Sequence, residues 1–190
     1  MIARILTVSF VVLSLGGDGS LTAQTPSPPV KPGLWATKMS QLDASGKEVP
    51  SPELAAYSRM APAMRARMAE IMRGRGVQLP DENGIINTCL TAESLNSGAW
   101  QQVATESGCT TTYSARSSAA WKWHTSCAAL KSVSDGETTF NGSSSYRTRM
   151  TTTVNVRGKP TTSTRIVQGT WVSAACGDVR PLTAPAARGR

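Results

Sequence analysis

Apolar and polar positions alternate with a period of two through much of the second half of the chain. Met150, Thr152, Val154 and Val156 fall on one side of a regular strand, and Arg149, Thr151, Thr153, Asn155 and Arg157 on the other. Trp121, Trp123 and Thr125 alternate in the same way with Lys122, His124 and Ser126. One apolar face and one wet face is the pattern of a strand in an antiparallel sheet. Gly33 to Gln41, Ile85 to Thr91, Thr110 to Ala115 and Thr161 to Val172 read as further strands. Thr138 to Val156 reads as two strands or one long, bulged strand. Turn chemistry punctuates these runs at Asp43-Ala44-Ser45-Gly46, Asp81-Glu82-Asn83-Gly84 and Arg157-Gly158-Lys159-Pro160. Asp135-Gly136 opens the last third, and Asn141-Gly142 is a candidate tight turn.

One stretch follows a helical period instead. Ser51 is placed to cap a helix whose first position is Pro52. Pro62 then kinks the stretch or begins a second helix, which runs to about Arg73 and ends at Gly74 and Gly76. Met60, Met64, Met68 and Met72 recur every four residues and make one stripe, thickened by Ile71. The first reading of that stripe is a helix packed on the sheet, with flexible Met filling gaps. The second is an apolar surface for a lipid or partner helix, flanked by Arg59, Arg65, Arg67, Arg73 and Arg75. Thioether binding of Cu(I) is the third. Thr91 is placed to cap a short helical turn over Ala92 to Leu95. Together these elements predict a mainly β (α+β) fold: a single antiparallel curved sheet or partly closed barrel, with a Met/Arg-rich helical insertion after the first strand. A β-sandwich without a covering helix is the alternative.

The N-terminus breaks both periods. Arg4 precedes an apolar run of eleven residues, Ile5 to Leu15, and Leu21-Thr22-Ala23 offers a small-residue cleavage site. Residues 1–23 are therefore expected to be a signal peptide, since the run is too short to span a bilayer. No cysteine stands at position 24, so no lipid anchor is expected there, and the destination is the periplasm. Residues 24–32 form a Pro-rich leader and 180–190 a similar tail, both expected to be disordered, and 33–179 should be a single domain.

A net charge of +8 suits lipid or an anionic cell-envelope polymer as partner, or serves solubility alone. Nucleic acid is not expected in an exported protein's compartment. Arg147, Arg149 and Arg157 share the wet face of one strand, with Arg165 joining from the next, and form the best anion-binding candidate. The competing reading is a solvated sheet face whose charges guard an edge.

Cys89, Cys109, Cys127 and Cys176 make an even count, which in an exported chain points to two disulfides. Three pairings exist; Cys89–Cys109 with Cys127–Cys176 is favoured, one closing a local loop and the other tying the middle of the chain to its end. There is no C-x-x-C, and His124 is the only histidine, so no metal site is expected. The same lone histidine, the lack of a G-x-S-x-G elbow and the sparse carboxylates beyond Asp81 give no catalytic constellation and no cofactor. The chain reads as a non-enzyme. Five Trp stand against two Phe and three Tyr. Core packing is the first reading for most of them, and two lining a ligand groove is the second.

Several segments, taken in order, resemble a known family. They are Lys31-Pro32-Gly33-Leu34-Trp35, Met72-Arg73-Gly74-Arg75-Gly76, Thr88-Cys89-Leu90-Thr91, Gly108-Cys109 and Ala175-Cys176-Gly177-Asp178-Val179 with Arg180-Pro181. This order and cysteine frame resemble the bacterial exported family called domain of unknown function 3617. The resemblance implies export and a compact domain, and carries over no activity, cofactor or catalytic residue.

Overall fold

The computed structural model describes residues 27–81, 83–96 and 108–182. The expected signal peptide, the start of the leader, Trp100 and the end of the tail lie outside the described residues.

Eight strands form one antiparallel sheet: β1 (Gly33–Leu42), β2 (Glu48–Pro50), β3 (Ile85–Leu90), β4 (Cys109–Arg116), β5 (Ala120–Cys127), β6 (Ser132–Asn141), β7 (Ser145–Val156) and β8 (Lys159–Ser173). Their order is β2-β1-β8-β7-β6-β5-β4, and β3 shares the outer edge of β1 with β2. From β4 to β8 each strand pairs with the next in sequence, a meander of hairpins. β1 then pairs with β8 and joins the start of the domain to its end. β6 alternates strictly between half-buried and exposed positions, so the sheet has an inner and an outer face.

The turns follow their residue chemistry, with one exception. Arg157 and Gly158 both have positive φ, 51° and 81°, as a two-residue type I′ hairpin requires. Gly142, at φ 59°, stands in the β6–β7 connection, which resolves the run from Thr138 to Val156 into two strands. Asp135-Gly136, however, lies inside β6. Gly136 is there because the Trp123 ring lies across it: a Cβ at that position would come within 2.1 Å of the ring.

The helical insertion comprises α1 (Pro52–Ser58) and α2 (Pro62–Gly74). The Ser51 hydroxyl accepts from the Leu54 amide, and Pro62 starts α2 rather than kinking one helix. A third short helix, α3 (Ala92–Asn96), begins at Thr91, whose hydroxyl accepts from Ser94 N–H (3.0 Å) while Ser94 Oγ accepts from Thr91 N–H (2.9 Å). The helix expected to pack on the sheet does not bury its stripe. No residue of α1 or α2 is buried, and Met64 and Ile71 are 56% and 55% exposed. Pro62 divides the stripe, leaving Met60 in the connection between the helices. The core is built from strand residues instead, with Trp35, Trp121, Ile166 and Cys89 among the most buried.

Both disulfides form, with a pairing different from the favoured one: Cys89–Cys176 and Cys109–Cys127. Cys109 and Cys127 stand directly opposite each other across β4 and β5, so their bond staples one hairpin. Cys89 on β3 is bonded to the segment that follows β8. Both ends of the domain also extend further than expected. Lys31 N–H donates to Ser143 O (2.9 Å), and Leu182 N–H donates to Cys89 O (2.9 Å), so residues 27–32 and 180–182 are seated against the sheet.

Candidate functional site

The inner face encloses a cavity of about 690 Å³. Thr88 and Leu90 from the edge strand β3 and Thr111 and Tyr113 from the opposite edge strand β4 line the same space. The sheet therefore curls until its two edges face one cavity, without closing into a barrel. The volume falls in the roughly 300–1,000 Å³ range of small-molecule sites.

The aromatic wall is built by alternation and by two glycines. Trp121 and Trp123 share the inner face of β5, and Trp35 and Tyr146 meet it from β1 and β7. Trp121 packs edge-on against Tyr113 and against Phe140, each at 5.7 Å between centroids. Trp35 and Tyr146 lie 5.5 Å apart. A Cβ on Gly169 would meet the Tyr146 ring at 2.2 Å, so this second strand glycine, like Gly136, lets an aromatic ring lie across the sheet. The indole N–H groups of Trp35 and Trp121 donate to Lys31 O (2.9 Å) and Ser117 O (3.0 Å). Burial pushes the Tyr146 phenol above its ordinary value, opposed by a hydrogen bond with Thr37.

Aliphatic side chains such as Leu90, Leu95 and Val167, together with threonines, complete the wall, and four of the threonine hydroxyls are engaged sideways. Thr111 bonds Thr125 and Thr138 bonds Thr148 across neighbouring strands, each at 2.8 Å. With those hydroxyls satisfied, the wall offers methyl groups and rings to the cavity. Among the described residues no Asp, Glu, His, Lys or Arg lines it. The wall therefore presents apolar surface to the space it borders.

The arginines and the histidine singled out in the sequence lie elsewhere. Arg147 and Arg149 do project from the outer face of β7. Arg157 sits at the hairpin tip and not on the strand, because its positive φ belongs to the turn. Arg165 lies opposite Met150 and Gln41, and cross-strand partners share a face, so it is on the inner side, away from Arg147 and Arg149. Arg147 is paired with Glu48 and Arg165 with Glu53 of α1. The Arg147 guanidinium and the Ser40 hydroxyl hold the Glu48 carboxyl below its usual range. Arg149 faces Glu137 in register, and Lys122 lies 3.7 Å from the same carboxylate. The outer face is therefore a mixed-charge surface and assembles no cluster of the four arginines. His124 Nδ1 is 2.8 Å from Asp135 on that outer face, both well exposed. Three of the five tryptophans, Trp35, Trp121 and Trp123, line the cavity. The alternation around Trp121 and Trp123 was the sequence signal for this wall; its extent across seven strands was not signalled.

A family model described as "Protein of unknown function (DUF3617)" matches residues 30–176. The chain belongs to this family. The matched span runs from Val30, at the cavity wall, to Cys176 and so takes in all four cysteines. A protein of Pseudomonas putida described as "Uncharacterized protein in lpd-3 5'region" is 30% identical over 113 residues, which is 58% of this chain and 77% of that protein. No solved structure matches. Among the described residues no helix is long and apolar enough to cross a membrane.

Proposed function

We propose that the protein is an exported, non-enzymatic binding protein that holds a hydrophobic ligand or lipid in the cavity on the inner face of its sheet. The observation that carries this reading is that both edge strands line one apolar cavity whose paired threonine hydroxyls are turned to each other. A folded chain gains nothing by keeping such a space empty, because the rings that line it forgo contacts they would make in a packed core. Among the described residues no Asp, Glu, His, Lys or Arg lines the wall, which favours binding over catalysis. Export to the periplasm is supported by the N-terminal apolar run and by two disulfides, which persist in oxidising compartments. Contact with anionic lipid or polymer through the basic sheet has weaker support, since Arg147 and Arg165 already hold carboxylates and point to opposite faces.

Titration with the neutral apolar fluorophore N-phenyl-1-naphthylamine tests the reading. A saturable, one-to-one rise in emission, with quenching of tryptophan fluorescence, is the expected result. A rise that never saturates would remove the proposal.

A further inference from the structure

We infer that Arg116 holds the carboxylate of a single-chain fatty acid whose hydrocarbon lies in the cavity. This rests on the reading of the cavity as an apolar binding site and adds what its ligand carries at one end.

The register of β4 places the arginine. Tyr113 pairs with Trp123, but Ala115 pairs with Lys122 and Arg116 with Trp121, so a bulge falls between Tyr113 and Ala115. In an unbroken strand Ala115 would share the face of Tyr113, and Arg116 would point outward. The bulge reverses this and brings Arg116 to the inner side, beside Trp121. Such re-aiming of one side chain is a recurrent use of bulges next to binding sites. The guanidinium then lies 3.6 Å from the centroid of Tyr113 and 5.3 Å from that of Trp121. Both rings line the cavity. Arg116 thus stands over its aromatic end, where the β4–β5 hairpin closes.

Two observations show that the guanidinium is poised for a ligand. Among the described residues no carboxylate is within ion-pair distance of it, whereas Arg147 and Arg165 each have one. Its Nε is shielded from solvent and has no hydrogen-bond partner. An unmade bond of this kind is costly, and arginines brought out of water are normally paired. Ring stacking holds the plane of the guanidinium and leaves its terminal N–H groups for an anion. A carboxylate matches the planar fork of donors bidentately. One guanidinium neutralises one negative charge, which selects a monoanionic head over a doubly charged phosphate. The apolar wall beyond it then takes the chain.

Three twelve-carbon probes separate the possibilities: laurate, dodecanol and dodecyltrimethylammonium, titrated against the full, disulfide-bonded protein and the Arg116→Gln and Arg116→Lys variants. Wild-type protein should bind laurate at least about tenfold more tightly than the cation, the scale of a charge-assisted hydrogen bond. Arg116→Gln should weaken laurate by about tenfold or more and leave dodecanol within about twofold. Arg116→Lys should recover part of the laurate affinity. Laurate and dodecanol binding both unchanged in Arg116→Gln would overturn the role of Arg116 while leaving the cavity as a binding site. Failure of all three probes to bind wild-type protein would remove the cavity reading itself. Should Arg116→Gln not fold, equal wild-type affinities for laurate and the cation still overturn the inference.

Discussion

Gly136 and Gly169 decide the shape of the cavity wall at the scale of single residues. Each lies under an aromatic ring, and an added methyl group would sit 2.1 Å from Trp123 or 2.2 Å from Tyr146. Gly136→Ala must therefore push the Trp123 ring off the sheet. Its expected cost is about 1–3 kcal/mol in urea unfolding, the range for overpacked sites. Gly74→Ala, whose new methyl meets nothing within 4 Å, should change stability far less. Equal effects would show that the ring does not rest on Gly136. In the sequence Asp135-Gly136 marks only the opening of the last third, because nothing local shows what the glycine is for. Only the tryptophan across the sheet reveals a glycine needed for space. Tyr146 carries a second residue-level consequence. Burial raises its phenol, so the folded protein keeps the proton longer than the unfolded chain does. The stabilisation is present below the ordinary tyrosine value, about pH 10, and is lost as pH rises through the raised folded value. Stability should fall more steeply above roughly pH 10 in the wild type than in Tyr146→Phe. Parallel curves for the two proteins would contradict the assignment.

Among the elements, the strands and caps were legible in the sequence and the role of α2 was not. Ser51, Pro52, Pro62 and Thr91 act through neighbours within a few residues, so their chemistry fixes the helix starts locally. A methionine stripe names a face but does not say what covers it. Met64, 56% exposed, loses little when truncated: Met64→Ala should cost within about 0.5 kcal/mol. Ile166, 2% exposed in the middle of β8, should cost about 2–5 kcal/mol as Ile166→Ala. A large loss for Met64→Ala in denaturant unfolding would restore the packed-helix reading. The bulge in β4 belongs to the same scale. Tyr113-Ser114-Ala115-Arg116 has no residue that demands a bulge, and counting in twos through it assigns Arg116 to the wrong face.

Across the whole molecule, the disulfides divide the work by reach. Cys109–Cys127 closes a separation of 18 residues and Cys89–Cys176 one of 87. In the chain-entropy account these remove about 3.2 and about 4.6 kcal/mol of unfolded-state freedom. Replacing Cys89 and Cys176 by Ser should therefore lower the unfolding midpoint more than replacing Cys109 and Cys127. Peptide mapping without reduction should join the Cys89 and Cys176 peptides. Four cysteines in a sequence cannot reveal this pairing, because Cys89 meets Cys176 only once β1 has brought β3 beside the end of β8. The curvature was expected from the sequence, but not that β3 and β4, consecutive strands in the chain, stand at opposite edges of the sheet and face one cavity. Its occupancy is read most directly from the tryptophan indole N–H resonances of ¹⁵N-labelled protein that also carries ¹³C-labelled methionine methyls, during addition of dodecanol. The indole signals of Trp121 and Trp123 should move and saturate together, while the methyl signals of Met64 and Met72 stay in place. Shifts confined to the α2 methionines, or indole signals that never move, would contradict a binding site on the inner face of the sheet.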